Sequence, residues 1–309
     1  MTYHAHVFAW AITPSILAGI AVISRCVTRF ELTNTLGVEE IIIVVAALGS
    51  AGLATLICLE VDHGFQDHEI LPPSDYVYQL KILYAGSLLY QTALYSVKAS
   101  ILCQCLKLFS GRYRTACAVA LTFITVYAIA AFTVDVFACW PIHKFWMLTV
   151  PGKCIELSPI WYITAAVQIT TDLVVCLLPI SVFKPLKLPK LQKYSLILVF
   201  ALGGVGCVCS MIRLVRLHQI LEEPYLSRKD VSVALWSSLE VNLGIICACL
   251  PNLRRPLSRL FPKFFRNTGS ESSDSSGNKM SFCRLWKGTK WISSNNSTTS
   301  ERYTLATIE

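Results

Sequence analysis

Polar and ionisable side chains recur at helical spacing inside long apolar stretches of this sequence, where they could form a buried site. Gln91, Tyr95 and Lys98 occupy positions i, i+4 and i+7, so a helix would place them on one face. Gln168 and Asp172 are likewise four residues apart. These groups offer hydrogen-bond donors and acceptors and one charge of each sign. They could form an ion pair or a polar cavity that holds a small molecule or an ion.

Groups of the same kind occur in two further apolar stretches. Arg213 lies at the end of one, and Glu240 and Asn242 lie within the last. Ionisable groups at membrane depth normally face a bundle interior, so we expect these side chains to converge. From their similar depths we predict that Lys98 and Asp172 form an ion pair, with Glu240 as the competing partner for the lysine. Two interpretations remain open: the groups hold a bundle together, or they line a cavity for a ligand or ion.

The elements that would position these side chains are membrane-spanning helices. The chain has 309 residues, of which 54% are hydrophobic and 15% charged, whereas about a quarter are charged in an ordinary soluble domain. Seven stretches of about 18 to 25 residues are nearly free of charge and long enough to cross a bilayer. We therefore predict an all-α fold, a bundle of seven transmembrane helices. The predicted spans are residues 7–24, 41–59, 82–106, 115–138, 159–183, 194–216 and 231–250.

The distribution of Lys and Arg among the connecting segments predicts the orientation, because short loops rich in these residues stay in the cytosol. With the N-terminus outside, fourteen Lys and Arg residues fall in cytosolic segments and five in outer ones. The fifth connection contributes four of the fourteen, which would face anionic headgroups: Lys184, Lys187, Lys190 and Lys193. We therefore expect the N-terminus outside and the C-terminus in the cytosol. The net charge of +8 reflects this asymmetry and does not indicate nucleic-acid binding.

Composition divides the chain into four predicted parts. Residues 1–6 form a short outer N-terminus, and residues 7–250 form the membrane domain. Residues 251–266 alternate basic residues with Leu and Phe, a pattern typical of a segment on the inner membrane surface. Residues 267–309 are rich in Ser, Thr and Asn and cannot bury enough apolar surface to fold, so we expect a disordered cytosolic tail.

Two of the 13 cysteines differ from the others by position. Cys139 and Cys154 fall in the predicted outer loop between the fourth and fifth spans, on the oxidising side of the membrane. We predict a disulfide between them, and the alternative is two unpaired thiols. Most of the other cysteines lie inside spans, where a thiol behaves as a small apolar group.

Metal binding and catalysis are not indicated. The chain has three Cys-x-Cys pairs, but two helical positions that are two residues apart point about 200° away from each other. The loop sequence EVDHGFQDHEI has groups that could hold a divalent cation, although a solvated loop is the simpler interpretation. The G-x-S-x-G, H-E-x-x-H and P-loop motifs are absent. We predict no metal site, no cofactor and no enzymatic activity.

The order and spacing of several short motifs resemble those of the fungal rhodopsin-like family of seven-helix integral membrane proteins. The resemblance runs from Arg25 to Pro256 and includes the basic pair Arg25 and Arg29, followed by the acidic pair Glu39 and Glu40. The other motifs, in chain order, are LYSVKASIL, CWPIHKFW with the later GKC, LLPI, LPKLQK, IRL and CLPNLRRP. Despite the family name, the seventh span has no lysine that could hold retinal.

The resemblance implies receptor-like signalling in response to a small-molecule ligand, through a cytosolic partner and within a lipid bilayer. Because members often occur in gene clusters for secondary metabolites, it also implies an association with a biosynthetic pathway. The alternatives are a small-molecule transporter or exporter and an accessory membrane protein of such a pathway. A transporter needs access to its cavity from both sides, whereas a receptor can stay sealed at the cytosolic end. The expected location is the plasma membrane, with an internal membrane as the alternative.

Overall fold

The computed structural model describes residues 2–33, 37–62, 73–108, 110–147, 149–183, 203–215 and 228–260. Within these residues the chain forms seven α-helices, which confirms the predicted all-α bundle. They are α1 (Thr2–Thr33), α2 (Val38–Asp62), α3 (Pro73–Leu108), α4 (Arg112–Val136), α5 (Leu157–Phe183), α6 (Gly203–Val215) and α7 (Arg228–Leu260).

Several predicted features lie outside the described residues. They are the four lysines of the fifth connection, the possible cation site of the loop after Asp62, and the tail from residue 267 onward. The chain divides into two compact units, Met1–Glu271 and Ser272–Glu309, and only the first contains described residues. Of the predicted interfacial segment, residues 251–260 continue α7.

Five of the seven helices contain a stretch long and apolar enough to cross a membrane. The stretches are His6–Glu31, Val38–Asp62, Arg112–Val136, Ser158–Leu178 and Val231–Pro251. The third helix, α3, has 36 residues and more polar side chains. It packs against α2, α4, α5 and α7, so much of its surface faces protein and its polar groups find partners there.

The outward face of α4 is apolar. Val119, Phe123, Val126 and Ile129 are each more than half exposed. A continuous apolar surface of this kind suits a hydrocarbon solvent and not water. Together with the five apolar helices, it is the surface of a multi-pass membrane protein.

The helices α1, α2, α3 and α7 share an apolar cluster of buried residues. Its fully buried members include small residues that allow helices to approach closely, as Gly49 of α2 does against Ala93 of α3. A β-carbon added at Gly49 would lie 2.9 Å from the Ala93 side chain. This close packing fixes α3 beside α2 and therefore fixes the position of its polar face.

A two-stranded hairpin connects α4 and α5. β1 (Cys139–Trp140) pairs antiparallel with β2 (Lys153–Cys154), so that Cys139 lies opposite Cys154. A disulfide joins these two cysteines, as predicted from the sequence. The hairpin therefore has a covalent link as well as its backbone hydrogen bonds.

Two residues fit the hairpin to the bundle. A β-carbon at Gly152 would lie 2.5 Å from the Trp140 carbonyl oxygen, so only glycine allows the strands to close here. Tyr84 of α3 donates its hydroxyl to the Val136 carbonyl at 3.2 Å, and its ring lies 5.2 Å from the ring of Phe145. The hairpin thus packs on the first half of α3.

Removing the disulfide is expected to lower the free energy of unfolding by about 3 kcal/mol, because it closes a loop of roughly 15 residues. The measurement is the unfolding of the Cys139→Ser/Cys154→Ser variant and of the wild type in the same lipid. Cys58→Ala, which changes a cysteine of α2 outside the bridge, is the control. If reductant leaves the wild-type midpoint unchanged, the bridge does not stabilise the fold.

Candidate ligand cavity and buried polar networks

Lys98 lies inside the bundle, with 5% of its surface exposed. Its ammonium group contacts Asp172 Oδ1 at 3.1 Å. It also donates to the Gln168 carbonyl oxygen at 3.1 Å and to Thr171 Oγ1 at 2.7 Å. An ammonium group has three protons, so these contacts use all of them. The predicted pairing of Lys98 with Asp172 is present, and within the described part of the chain α5 supplies every partner of the lysine.

A second pair of opposite charges, Arg213 of α6 and Glu240 of α7, is connected through Tyr90 of α3. Arg213 Nη1 donates to Tyr90 Oη at 2.8 Å, and its guanidinium carbon lies 4.2 Å from the centre of the Tyr90 ring. The Tyr90 hydroxyl lies 2.9 Å from Glu240 Oε2. Ser210 donates to Glu240 Oε1 at 2.6 Å. The Tyr90 hydroxyl group therefore bridges Arg213 and Glu240.

The contacts of Glu240 show whether it competes with Asp172 as the partner of Lys98. Glu240 takes its hydrogen bonds from Ser210 and Tyr90, and no ion pair joins it to Lys98 within the described part of the chain. A third carboxylate, Asp135 of α4, hydrogen-bonds to Gln91 and interacts with Arg213. The opposite charges of the region reduce the free-energy cost of burying one another. The sequence did not indicate Tyr90, although it touches three of the predicted residues.

Asn242 does not join this network, which corrects the sequence prediction. Its side chain accepts from Ser50 at 2.7 Å and donates to Ser15 at 3.2 Å and to the Ser238 carbonyl at 2.8 Å. Because residues two apart on a helix point about 200° away from each other, Glu240 and Asn242 face different neighbours. Asn242 instead links α7 to α1 and α2.

A cavity of about 320 Å³ lies between α3, α4 and α5. This volume is at the lower end of the range of roughly 300 to 1,000 Å³ for small-molecule pockets. Four of the predicted site residues line it: Gln91, Tyr95, Lys98 and Gln168. Asp172, Arg213, Glu240 and Asn242 do not.

The remaining wall of the cavity was not indicated by the sequence. Most of it comes from seven residues of α4: Ile124, Thr125, Tyr127, Ala128, Ile129, Phe132 and Thr133. Apolar residues and threonine are common on any membrane helix, so no pattern marks this face. A cavity wall of this composition can be found only once the packing of α4 against α3 is known.

A charge network lies near the other end of α3. Arg29 of α1 bridges the first turn of α2, with Nη2 2.8 Å from Glu39 Oε1 and Nε 3.0 Å from Glu40 Oε1. Arg25 approaches Glu40 Oε1 at 3.5 Å, and Lys107 of α3 donates to Glu39 Oε1 at 2.7 Å. We call these five residues the end network. Glu39, Glu40 and Arg25 are at most 1% exposed.

The local sequence explains how the end network forms. Glu40 is the third residue of α2, and its Oε2 accepts from the Gly37 backbone N–H at 2.9 Å, as in a capping box. Acidic residues also suit the first turn because the helix dipole is positive there. The start of α2 therefore holds two carboxylates in place for the basic residues of α1 and α3.

Further hydrogen bonds extend the end network to α7. Arg25 Nη1 donates to the Ala248 carbonyl at 2.8 Å, and Gln104 donates to the same oxygen at 3.3 Å. Ser100 of α3 donates to the Glu39 carbonyl at 3.0 Å. These contacts join α1, α2, α3 and α7 at this end of the bundle. Tyr84, beside the disulfide hairpin, lies about 35 Å from Lys107 along α3, at the helical rise of about 1.5 Å per residue.

Comparison with known proteins places these features in a family. Residues 24–259 match the Fungal rhodopsin domain. The SAT4 family membrane protein of Emericella nidulans is 28% identical over 223 residues, which are 69% of this chain and 53% of that protein. Receptor GIN3 of Arthrobotrys oligospora is 30% identical over 150 residues, 48% of this chain and 36% of that protein.

A third relative, Wortmanamides biosynthesis cluster protein C of Talaromyces wortmannii, is 26% identical over 235 residues, 74% of this chain and 63% of that protein. The chain thus spans about half the length of the relatives it matches. The domain match itself covers more than half of the chain and includes the cavity, the disulfide and the end network. The chain therefore belongs to the fungal rhodopsin domain family of multi-pass membrane proteins.

Proposed function

We propose that this protein is a receptor-like, non-enzymatic membrane protein that binds a small molecule in the cavity between α3, α4 and α5. Binding is signalled to a cytosolic partner through α3. The observation that carries the proposal is the shared use of this helix. Its residues Gln91, Tyr95 and Lys98 line the cavity, and about two and a half turns further on Lys107 takes part in the end network.

The end network favours a receptor over a transporter. A transporter would have to open this end in every cycle, which means separating Glu39 and Glu40 from their basic partners. Breaking a buried ion pair is costly because each charge is left without water or a counter-charge. A receptor needs only a change in the packing of these groups. The similarity to a protein named Receptor GIN3 supports the same choice, and the similarity to a biosynthesis cluster protein supports a role beside such a pathway.

The orientation proposed for this receptor places the end network and the C-terminus in the cytosol, at the plasma membrane. The tail contains two overlapping glycosylation sequons, Asn295-Asn296-Ser297 and Asn296-Ser297-Thr298, which only a lumenal tail could use. We expect no change in gel mobility after endoglycosidase treatment. A mobility shift that disappears in the Asn295→Gln/Asn296→Gln variant would show that the C-terminus is lumenal and that the proposed orientation is wrong.

Thiol labelling separates the receptor from the transporter. Thr92→Cys places a thiol in the cavity, in a chain whose cysteines other than Cys139 and Cys154 are replaced by alanine. In sealed vesicles, a lipid-soluble maleimide should label it, and a membrane-impermeant maleimide added on the cytosolic side should not. Leu108→Cys, at the 47% exposed last residue of α3, is the positive control for the impermeant reagent. Labelling of Thr92→Cys from the cytosolic side at a rate near that of the control would indicate a transporter.

A further inference from the structure

We propose that the ligand of the cavity between α3, α4 and α5 is a neutral, largely apolar alcohol that enters from the bilayer. This inference rests on the proposed function and names the chemical class of molecule that the site accepts. Three features of the wall carry it: the satisfied charge of Lys98, the direction of the hydroxyl groups, and the place where the cavity meets the surface.

The first feature is the absence of an unpaired charge among the described residues of the wall. Among the described residues of the wall, Lys98 is the one Lys, Arg, Asp or Glu side chain. The three protons of its ammonium group go to Asp172, Gln168 and Thr171. A carboxylate or phosphate ligand would find no free counter-charge. Burying a charged ligand group beside an already neutral pair is costly, so the wall favours a neutral molecule.

The second feature is that the threonine hydroxyl protons of the wall are already donated to backbone carbonyl oxygen atoms. Each threonine of the wall donates to a carbonyl oxygen four residues earlier in its own helix, at 2.7 to 2.9 Å. These threonines are Thr92, Thr125, Thr133 and Thr171. A hydroxyl group has one proton and two lone pairs, so each of these oxygen atoms keeps at least one lone pair, including Thr171 Oγ1, which already accepts from Lys98.

Tyr95 adds a further acceptor. Its hydroxyl oxygen lies 3.2 Å from Thr125 Oγ1. Because Thr125 donates its own proton to the Leu121 carbonyl at 2.7 Å, Tyr95 must be the donor in this contact. The Tyr95 oxygen therefore keeps its lone pairs. Tyr127 also lines the cavity, and its buried hydroxyl has no hydrogen-bond partner among the described residues. A ligand hydroxyl can donate to the threonine and Tyr95 oxygen atoms and accept from Tyr127, whereas a ligand anion would place its own lone pairs against most of these oxygen atoms.

The third feature is the outer edge of the cavity. Ile129 and Phe132 of α4 line the cavity and are also 64% and 42% exposed on the surface of the bundle. This surface faces hydrocarbon in a membrane protein, so a lipid-soluble molecule can reach the cavity sideways. It need not pass the end network or the disulfide hairpin.

Photolabelling of the full chain in lipid nanodiscs tests the ligand class. The probes are decanol bearing a diazirine and decanoic acid bearing the same group. We expect the alcohol probe to label cavity-lining peptides of α3 and α4, and excess decanol to compete with it. At the same concentration the acid probe should give at least about tenfold less saturable labelling, equivalent to about 1.4 kcal/mol in binding.

Two variants of α4 locate the labelling. Ala128→Phe fills the cavity and should abolish the saturable part, whereas Val126→Phe, at a 63% exposed position outside the cavity, should leave it unchanged. Equal saturable labelling by both probes that is still lost in Ala128→Phe would overturn the alcohol class but keep the cavity as a binding site. Labelling that cannot be competed, or that survives Ala128→Phe, would overturn both the ligand class and the proposed function.

Discussion

Asp172→Asn is expected to lower the free energy of unfolding by at least about 2.5 to 3.5 kcal/mol, the cost of a single charge at the centre of a membrane helix on insertion scales. The substitution removes the carboxylate that lies 3.1 Å from the Lys98 ammonium group. The Lys98 side chain is 6% exposed. The remaining partners of Lys98 are neutral oxygen atoms, which do not replace a counter-charge. Unfolding in mixed lipid and detergent micelles measures the loss.

A double-mutant cycle tests whether this loss comes from the ion pair. Adding Lys98→Met should restore part of the stability, with a coupling energy of about 1 to 3 kcal/mol, because both buried charges are then gone. Glu240→Gln is the matched control, since Glu240 is also buried but hydrogen-bonds to Ser210 and Tyr90. A larger coupling of Lys98 to Glu240 than to Asp172 would show that the assigned pairing is wrong.

Glu40→Gln is expected to have the other large effect, a loss of about 3 to 5 kcal/mol, which is the usual cost of breaking a buried ion pair on one side. Glu40 Oε1 serves both Arg25 and Arg29, and Arg25 is fully buried. Glutamine has the same shape and can still accept from the Gly37 N–H, so the helix cap is kept. The same unfolding experiment measures the effect.

Lys107→Met is the control for Glu40→Gln within the end network. Lys107 is 57% exposed, and Arg29 continues to pair with Glu39 after the substitution. Exposed ion pairs contribute about 1 kcal/mol or less, so a small loss is expected. A loss as large as that of Glu40→Gln would mean that burial is not what makes this network stabilising.

Hydropathy predicted the helices well because apolar composition decides which segments enter a membrane, but it placed their ends less well. The second span was predicted to begin at residue 41, yet α2 begins at Val38 because Glu39 and Glu40 belong to its first turn. The third was predicted to begin at residue 82, yet α3 begins at Pro73 because its first turns are polar. Charged and polar residues end an apolar stretch without ending a helix.

The sequence predicted how deep the residues of the candidate site lie in the membrane, but not which helices lie beside each other. Helical rise fixes how deep Lys98 and Asp172 lie, and this was sufficient to predict their pairing. It does not say which helices are neighbours, so Tyr90 and the wall from α4 could not be found. Asn242 lies in a different network from Glu240 because residues two apart on a helix point about 200° away from each other.

The end network shows a different limit. In the sequence, the basic pair Arg25 and Arg29 and the acidic pair Glu39 and Glu40 form a motif that resembles a family. The structure shows that these four residues pair with each other across α1 and α2. Their proximity follows from the short connection between the two helices, and the four-residue spacing of the arginines was a signal for one shared face.

The most direct measurement for the receptor-like role follows the end of α3 beside the end network while the cavity is filled. An environment-sensitive fluorophore is attached to Leu108→Cys in the chain that keeps Cys139 and Cys154 as its other cysteines. The labelled protein is placed in nanodiscs and titrated with decanol. We expect a saturable change in emission that persists with Val126→Phe and is lost with Ala128→Phe. An equal response with both substitutions, or no response at decanol concentrations that saturate the photolabelling, would contradict signalling from the cavity to the end network.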